Sequence, residues 1–210
     1  MSAVNPLLLD LRLPIRTPRL LIRPKEPGDG AETAAAVQET WDTLHLWMRW
    51  AENREFFTSE QMEIRNRQVM ATFLLRESFE LLGIEIATGL PVAWCGLHEI
   101  DWQAQQCETG YWVRKSAQGR GFATEACNAL LRYAFGVLGM RRVGLTHSSG
   151  NEASRRISEK LGFALEGTQR QAALLPGGRI ADRLLYARFD TEGLPPLEVA
   201  WAAPAKGGSR

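Results

Sequence analysis

The chain has 210 residues, 45% of them hydrophobic, 23% charged and 9% aromatic, which is enough apolar side chain for one buried core and too much for a disordered segment. Lysine and arginine number 25 against 24 aspartates and glutamates, a formal net charge of +1, so the basic stripe of a general nucleic-acid binder is missing. Local basic clusters such as Arg141 with Arg142 and Arg155 with Arg156 are candidate phosphate contacts, with solvated surface charge as the plain alternative for each.

The first thirteen residues hold Leu7, Leu8, Leu9, Leu11 and Leu13, but Asp10 and Arg12 interrupt them and no small-residue cleavage site follows, so they read as neither signal peptide nor anchor. No run approaches the roughly 20 apolar residues of a spanning helix. Cys95, Cys107 and Cys127 form no CxxC pair, which fits a reducing compartment, and the cytoplasm is the expected location. The stretch 1–16 is read as an N-terminal extension, 17–190 as the domain and 191–210 as a tail. The apolar extension is one candidate for a homodimer contact.

A first strand is expected over 19–23 and a helix over 29–39. Residues 40–51 hold Trp41, Leu44, Leu46, Trp47, Met48 and Trp50; at helical spacing such side chains are more often core than binding surface. A long helix is expected over 59–76. Strands follow over 78–88, 92–101 and 107–114, turned by Gly89-Leu90-Pro91 and by the polar 103–106 stretch, as in a meander. A helix over 122–138 presents Phe122, Ala126, Ala129, Leu130, Tyr133, Ala134 and Val137 on one face and stops at Gly139. Then come a strand over 142–147, a short helix over 153–160, and strands over 163–173 and 180–189 paired across a Pro-Gly-Gly turn. The tail from Thr191, rich in Pro, Gly and Ala, is expected to be loose, although Trp201 hints at docking.

The most informative run is Glu108-Thr109-Gly110-Tyr111-Trp112-Val113 followed by Gln118-Gly119-Arg120-Gly121-Phe122-Ala123-Thr124. It reads as strand, tight glycine loop and helix, the construction of an anion cradle: glycine lets the backbone approach a phosphate, and the first helical turn aims free N–H groups at it. It is not a P-loop, because no Lys-Ser/Thr closes it, nor a dinucleotide fingerprint.

Gln118-x-x-Gly121-x-Ala123 resembles the acetyl-CoA loop of the GNAT acetyltransferase superfamily. Gly-Tyr-Trp-Val before it and Thr-Glu-Ala after it look like the Rim-type branch, the ribosomal-protein N-terminal acetyltransferases. Asn151-Glu152-Ala153-Ser154, Lys160-Leu161-Gly162-Phe163 and Glu166-Gly167 recur in that family's order. The resemblance implies an α/β fold with a central, mostly antiparallel mixed sheet of about seven strands, splayed between the fourth and fifth and flanked by helices. It implies that acetyl-CoA lies in the splay, its pyrophosphate on the N–H groups of Gly119, Arg120, Gly121, Phe122, Ala123 and Thr124, and its arm along the backbone of Tyr111, Trp112, Val113 and Arg114. Gln118, Asn151 and Ser154 would complete that site.

Acetyl transfer needs an amine freed of its proton and a thiolate that regains one. At pH 7 the free base costs about 1.4 kcal/mol for an α-amine and about 4.6 kcal/mol for a lysine. Glu108 is the candidate base, with an exposed strand carboxylate as the plain alternative. Ser154 is the candidate proton donor to sulfur, with helix capping as its alternative, and Asn151 is either an arm contact or a turn residue. Some Rim-type enzymes carry a glutamate in the strand after Glu-Gly, where this chain has Gln171-Ala172-Ala173. Tyr111 and Tyr133 are read as core. His45, His98 and His147 have no metal-ligand spacing, so no metal is expected, and no nucleophile motif suggests a covalent intermediate. The expectation is direct transfer from acetyl-CoA to a primary amine, foremost a protein N-terminus. A small-molecule amine acetyltransferase and a non-catalytic acyl-CoA-binding module are the alternatives.

Overall fold

The computed structural model describes residues 5–203; the outermost residues of the expected extension and tail, 1–4 and 204–210, lie outside it. The elements in chain order are β1 (Ile15–Arg16), β2 (Leu20–Pro24), α1 (Gly30–Trp47), α2 (Ser59–Leu74), β3 (Phe79–Glu85), β4 (Pro91–Asp101), β5 (Gln106–Val113), α3 (Phe122–Gly136), β6 (Arg142–Ser148), α4 (Glu152–Lys160), β7 (Ala164–Leu174), β8 (Ile180–Arg188) and β9 (Ala200–Trp201). They build one mixed sheet in the order β7-β8-β6-β5-β4-β3-β2-β1-β9. The only parallel neighbours among the described residues are β5 and β6.

The sheet has nine strands where about seven were expected. The two extra ones, β1 and β9, are two residues long and pair with each other at one edge, too short for any periodicity to declare. The tail is therefore not loose up to Trp201. Leu194 is buried, and the carbonyl of Pro195 accepts from Asn128 Nδ2 at 2.9 Å.

Two layers cover the sheet. α3 and α4 close one face over Ile15, Leu20, Ile22, Phe79, Leu81, Leu97, Cys107 and Val143. α1 and α2 close the other, where Ala34, Val37, Leu44 and Met62 form one cluster and Ala36, Leu82 and Trp94 another. The first helix runs well past residue 39 because its aromatic continuation is amphipathic: Leu44 is buried, and Trp41 and Met48 pack on the core. Trp50, Leu46 and Phe56 remain exposed. The N-terminus of α2 is capped locally by Thr58, which accepts from Gln61 N at 3.2 Å, and that of α1 from a distance by Glu63 of α2, which accepts from Gly28 N and Gly30 N.

Candidate active site

Pairing between β5 and β6 lasts three residues. Gln106, Cys107 and Glu108 lie opposite Arg142, Val143 and Gly144; beyond them β5 runs on to Val113 beside β4, and β6 runs on to Ser148 beside β8. A cleft opens between two strands of one sheet, with Glu108 at its foot. Arg114 N donates to Val92 O at 3.0 Å, so antiparallel alternation turns the main-chain groups of Trp112 and Arg114 towards β4 and those of Tyr111 and Val113 into the cleft. Of the four residues expected to serve through their backbone, two turn their main-chain groups into the cleft. Val113 O is already engaged, accepting from Gln118 Nε2 at 3.1 Å. The Arg114 side chain is buried against α1, paired with Glu32 at 3.1 Å and Glu39 at 3.0 Å.

At the upper end of the cleft stands the glycine loop. Gly119 and Gly121 have φ of 72° and 85°, left-handed conformations that glycine adopts without penalty. Gly121 occupies the N-cap of α3 with no side-chain cap, and the first intrahelical bond runs from Glu125 N to Gly121 O. The N–H groups of Phe122, Ala123 and Thr124 thus project without helical partners into exposed space. Two carboxylates near this positive pole are neutralised: Glu125 by Arg19 at 2.5 Å and Glu85 by Arg120. Both guanidinium groups also flank the buried Phe122 ring, at 4.6 and 4.8 Å from its centre, so the Phe122 side chain anchors the loop and only its backbone faces outward.

On the α3/α4 side of the cleft the Tyr111 hydroxyl is buried without a partner within hydrogen-bond distance, and so is His147 Nε2. Burial raises the Tyr111 ionisation well above that of an ordinary phenol, against a small opposing effect from Ser154 of α4, so the phenol stays a proton donor. His147 stacks on Tyr186 with ring centres 5.1 Å apart. Unpartnered buried polar atoms are scarce in folded proteins. These two sit on the divergent stretches of β5 and β6, and a guest rich in amide groups laid between the strands would meet both. The residues present fit the pantetheine arm of a CoA thioester. Asn151 Oδ1 accepts from Ser154 N at 3.1 Å, which makes Asn151 the cap of α4 and leaves the Ser154 hydroxyl turned to Tyr111. The reading of Tyr111 as plain core missed its hydroxyl, because strand sidedness does not follow from a six-residue run.

On the opposite face Glu108 leans over Gly144, where a Cβ would come within 3.1 Å of its Cγ, and its Oε2 lies 3.4 Å from Thr146 Oγ1. Trp112 shares this face, stacked on Trp94 at 4.1 Å and 6° between planes, with Trp50 at 6.3 Å. Gln171, where a second carboxylate could have stood, is exposed at φ 54° in a bulge of β7. Among the described residues no three His, Cys, Asp or Glu side chains cluster as metal ligands, and no helix is long and apolar enough to cross a membrane.

The acetyltransferase (GNAT) domain family matches residues 19–164. The chain belongs to the GNAT family. Within it, the relatives place this protein in the Rim-type branch, and it is an N-acetyltransferase. YdaF of Bacillus subtilis (strain 168), provisionally named a ribosomal N-acetyltransferase, is 32% identical over 176 residues, covering 82% of this chain and 92% of YdaF. A solved structure provisionally described as an acetyltransferase is 27% identical, with a TM-score of 0.77 over 84% of this chain and 98% of its own. RimL, the ribosomal L7/L12 α-N-protein acetyltransferase solved with coenzyme A, shares the fold at a TM-score of 0.76 and 20% identity, over 83% of this chain and 96% of RimL.

Proposed function

We propose that this GNAT enzyme takes the acetyl group of acetyl-CoA directly to a primary amine, and that its acceptor is the N-terminal α-amine of a protein or peptide. The observation that carries the reading is the parting of β5 and β6 just past Glu108 and Gly144, which leads from a carboxylate at the foot of the cleft to the glycine loop at its head.

Acetyl-CoA supplies an acetyl group already activated as a thioester. Around it the N–H groups from Gly119 to Thr124 receive the diphosphate, and the free edge of β5 at Tyr111 holds the arm. An extended arm gripped at the loop brings its thioester to the closed end of the cleft, level with Gly110 and Glu108. There Glu108 attracts the ammonium form of the acceptor and assists loss of its proton. Ser154, on the other face, provides the hydroxyl from which the departing sulfur regains one. An α-amine needs only about 1.4 kcal/mol to present its free base at pH 7, a demand that a single carboxylate and an open route to water can meet.

Two observations favour a peptide over a small amine. YdaF and RimL are named for ribosomal acceptors, and the rings at the rim of the acceptor face, Trp50 and Phe56, are 46% and 54% exposed, forming an open apolar border. The test is calorimetric titration with acetyl-CoA and CoA, followed by a thiol-release screen over N-terminal peptides, polyamines and amino sugars. Micromolar binding with CoA release on peptides is expected. Release with small amines alone would overturn the acceptor, and absence of binding would overturn the cleft assignment.

A further inference from the structure

His98 of β4 is the direct cross-strand partner of Glu108, so both side chains leave the same face of the sheet. Its ring does not point away. A Cβ placed on Gly110 would come within 3.1 Å of His98 Nε2, so the imidazole lies over Gly110, while Glu108 leans the other way over Gly144. The two side chains therefore leave one face of the sheet at the level where the cleft closes, the imidazole over Gly110 of β5 and the carboxylate over Gly144 of β6. The strand itself is bent to hold this arrangement: the register of β4 against β5 slips immediately after His98, and Glu99 takes a left-handed φ of 49°. Bulges of this kind re-aim a side chain. His98 is also exposed to solvent, which Glu108, half-covered by β6, is less.

We propose that His98 Nε2 is the atom that takes the proton from the acceptor amine, Glu108 holding the ammonium beside it, and that His98 hands this proton to water. The inference rests on the acetyl-transfer reading above. In the balanced step the acceptor enters as R–NH3+ and loses one proton to His98. Its lone pair then forms the C–N bond, the C–S bond breaks with its electrons on sulfur, and the second nitrogen proton ends on that sulfur by way of Ser154. The products are the amide, CoA thiol and one proton released to solvent.

Charge around His98 comes from every neighbouring strand. Glu108 is its cross-strand partner on β5. Glu80 lies on the same face of β3, held by Lys25 at 3.1 Å and Arg65 at 2.9 Å. Arg142 stands beyond Glu108 on β6, paired with Glu166 at 2.5 Å. Glu99 and Asp101 follow on its own strand. A neutral imidazole accepts a proton on one ring nitrogen and can pass it on to water, and histidine is the side chain most often used as a general base.

The experiment is the pH profile of kcat/KM for the full chain, wild type against His98→Gln, with the peptide that gives most CoA release. A base must be unprotonated to act, so wild-type activity should rise with pH through an inflection that is absent from His98→Gln. In His98→Gln it should fall by about 100-fold at pH 7 and keep climbing until the amine itself ionises near 8, with acetyl-CoA affinity by calorimetry unchanged. His98→Ala should recover activity with added imidazole, a response that a structural role would not produce. An unchanged profile in His98→Gln, or no imidazole rescue of a folded, CoA-binding His98→Ala, overturns the proposal while leaving acetyl transfer intact. A wild-type protein that binds acetyl-CoA and acetylates no amine overturns both.

Discussion

Gly121 combines a φ of 85° with room for a side chain, since only the flexible end of Arg19 lies within 4 Å of a Cβ there. Replacing it with aspartate keeps the backbone accessible, since aspartate tolerates the left-handed region better than most residues, and puts the new carboxylate within reach of Arg19 Nη2, 3.4 Å from the Cβ position. Gly121→Asp should therefore fold and lose acetyl-CoA affinity by about 100-fold, through repulsion of the diphosphate at the helix pole. Calorimetry together with a melting curve separates the two effects. Glu108→Gln should leave that affinity unchanged and lower kcat by about 100-fold, read in the same thiol-release assay. The assay is clean because burial pushes the thiols of Cys95, Cys107 and Cys127 up to about 12, the Glu108 charge adding to the effect at Cys107. The native protein should thus react with no equivalents of a thiol reagent at pH 8, and with three once unfolded in guanidinium.

At the scale of elements, what was legible in the sequence is what repeats or what a local signal marks. Gln118 to Thr124 carried the loop because glycines and a helix start are local chemistry, and the apolar face of α3 repeats over four turns. His98 was not legible as part of the site: its place depends on pairing with Glu108 ten residues later and on a bulge at Glu99, and both are tertiary facts. Trp41 to Trp50 split between core and rim for the same reason, since the helix carries Trp41 and Leu44 inward and ends before Trp50. Close approach of helices is equally invisible. Gly30 begins α1 against α2, and a Cβ there would stand 2.5 Å from Glu63 N, a backbone atom that cannot swing aside. Gly30→Ala should force α1 and α2 apart and destabilise the protein by about 1–3 kcal/mol, measured by urea denaturation. It should also weaken acceptor turnover more than acetyl-CoA binding, because α1 borders the acceptor face while the loop rests on α3.

Across the whole molecule residues 12–16 and 194–202 are tied to the sheet edge and to α3, far from the cleft. β9 pairs with β1 at the sheet edge, Ala202 N donates to Arg12 O at 3.1 Å, Leu197 and Val199 pack on the main core, and Pro195 O accepts from both Asn128 and Arg132 of α3. The cleft between β5 and β6 is separated from that edge by β4, β3, β2 and β1. Removing 191–210 takes away one buried leucine, Leu194, and several half-buried apolar side chains, and leaves the amide of Asn128 and the guanidinium of Arg132 without their shared carbonyl. At about 1.5–3 kcal/mol for a fully buried large side chain, the loss should be on the order of 3 kcal/mol, which for a chain of this size lowers the melting temperature by about 6–12 °C. Acetyl-CoA affinity at 20 °C should change by less than about threefold, because the tail holds the middle of α3 at Asn128 and Arg132 while the proposed diphosphate cradle is its first turn. A truncated chain that melts where the full one does would show that the strand at Ala200–Trp201 contributes nothing. One that keeps its melting point and loses acetyl-CoA would mean that the tail acts on the loop through α3 instead of through the sheet edge.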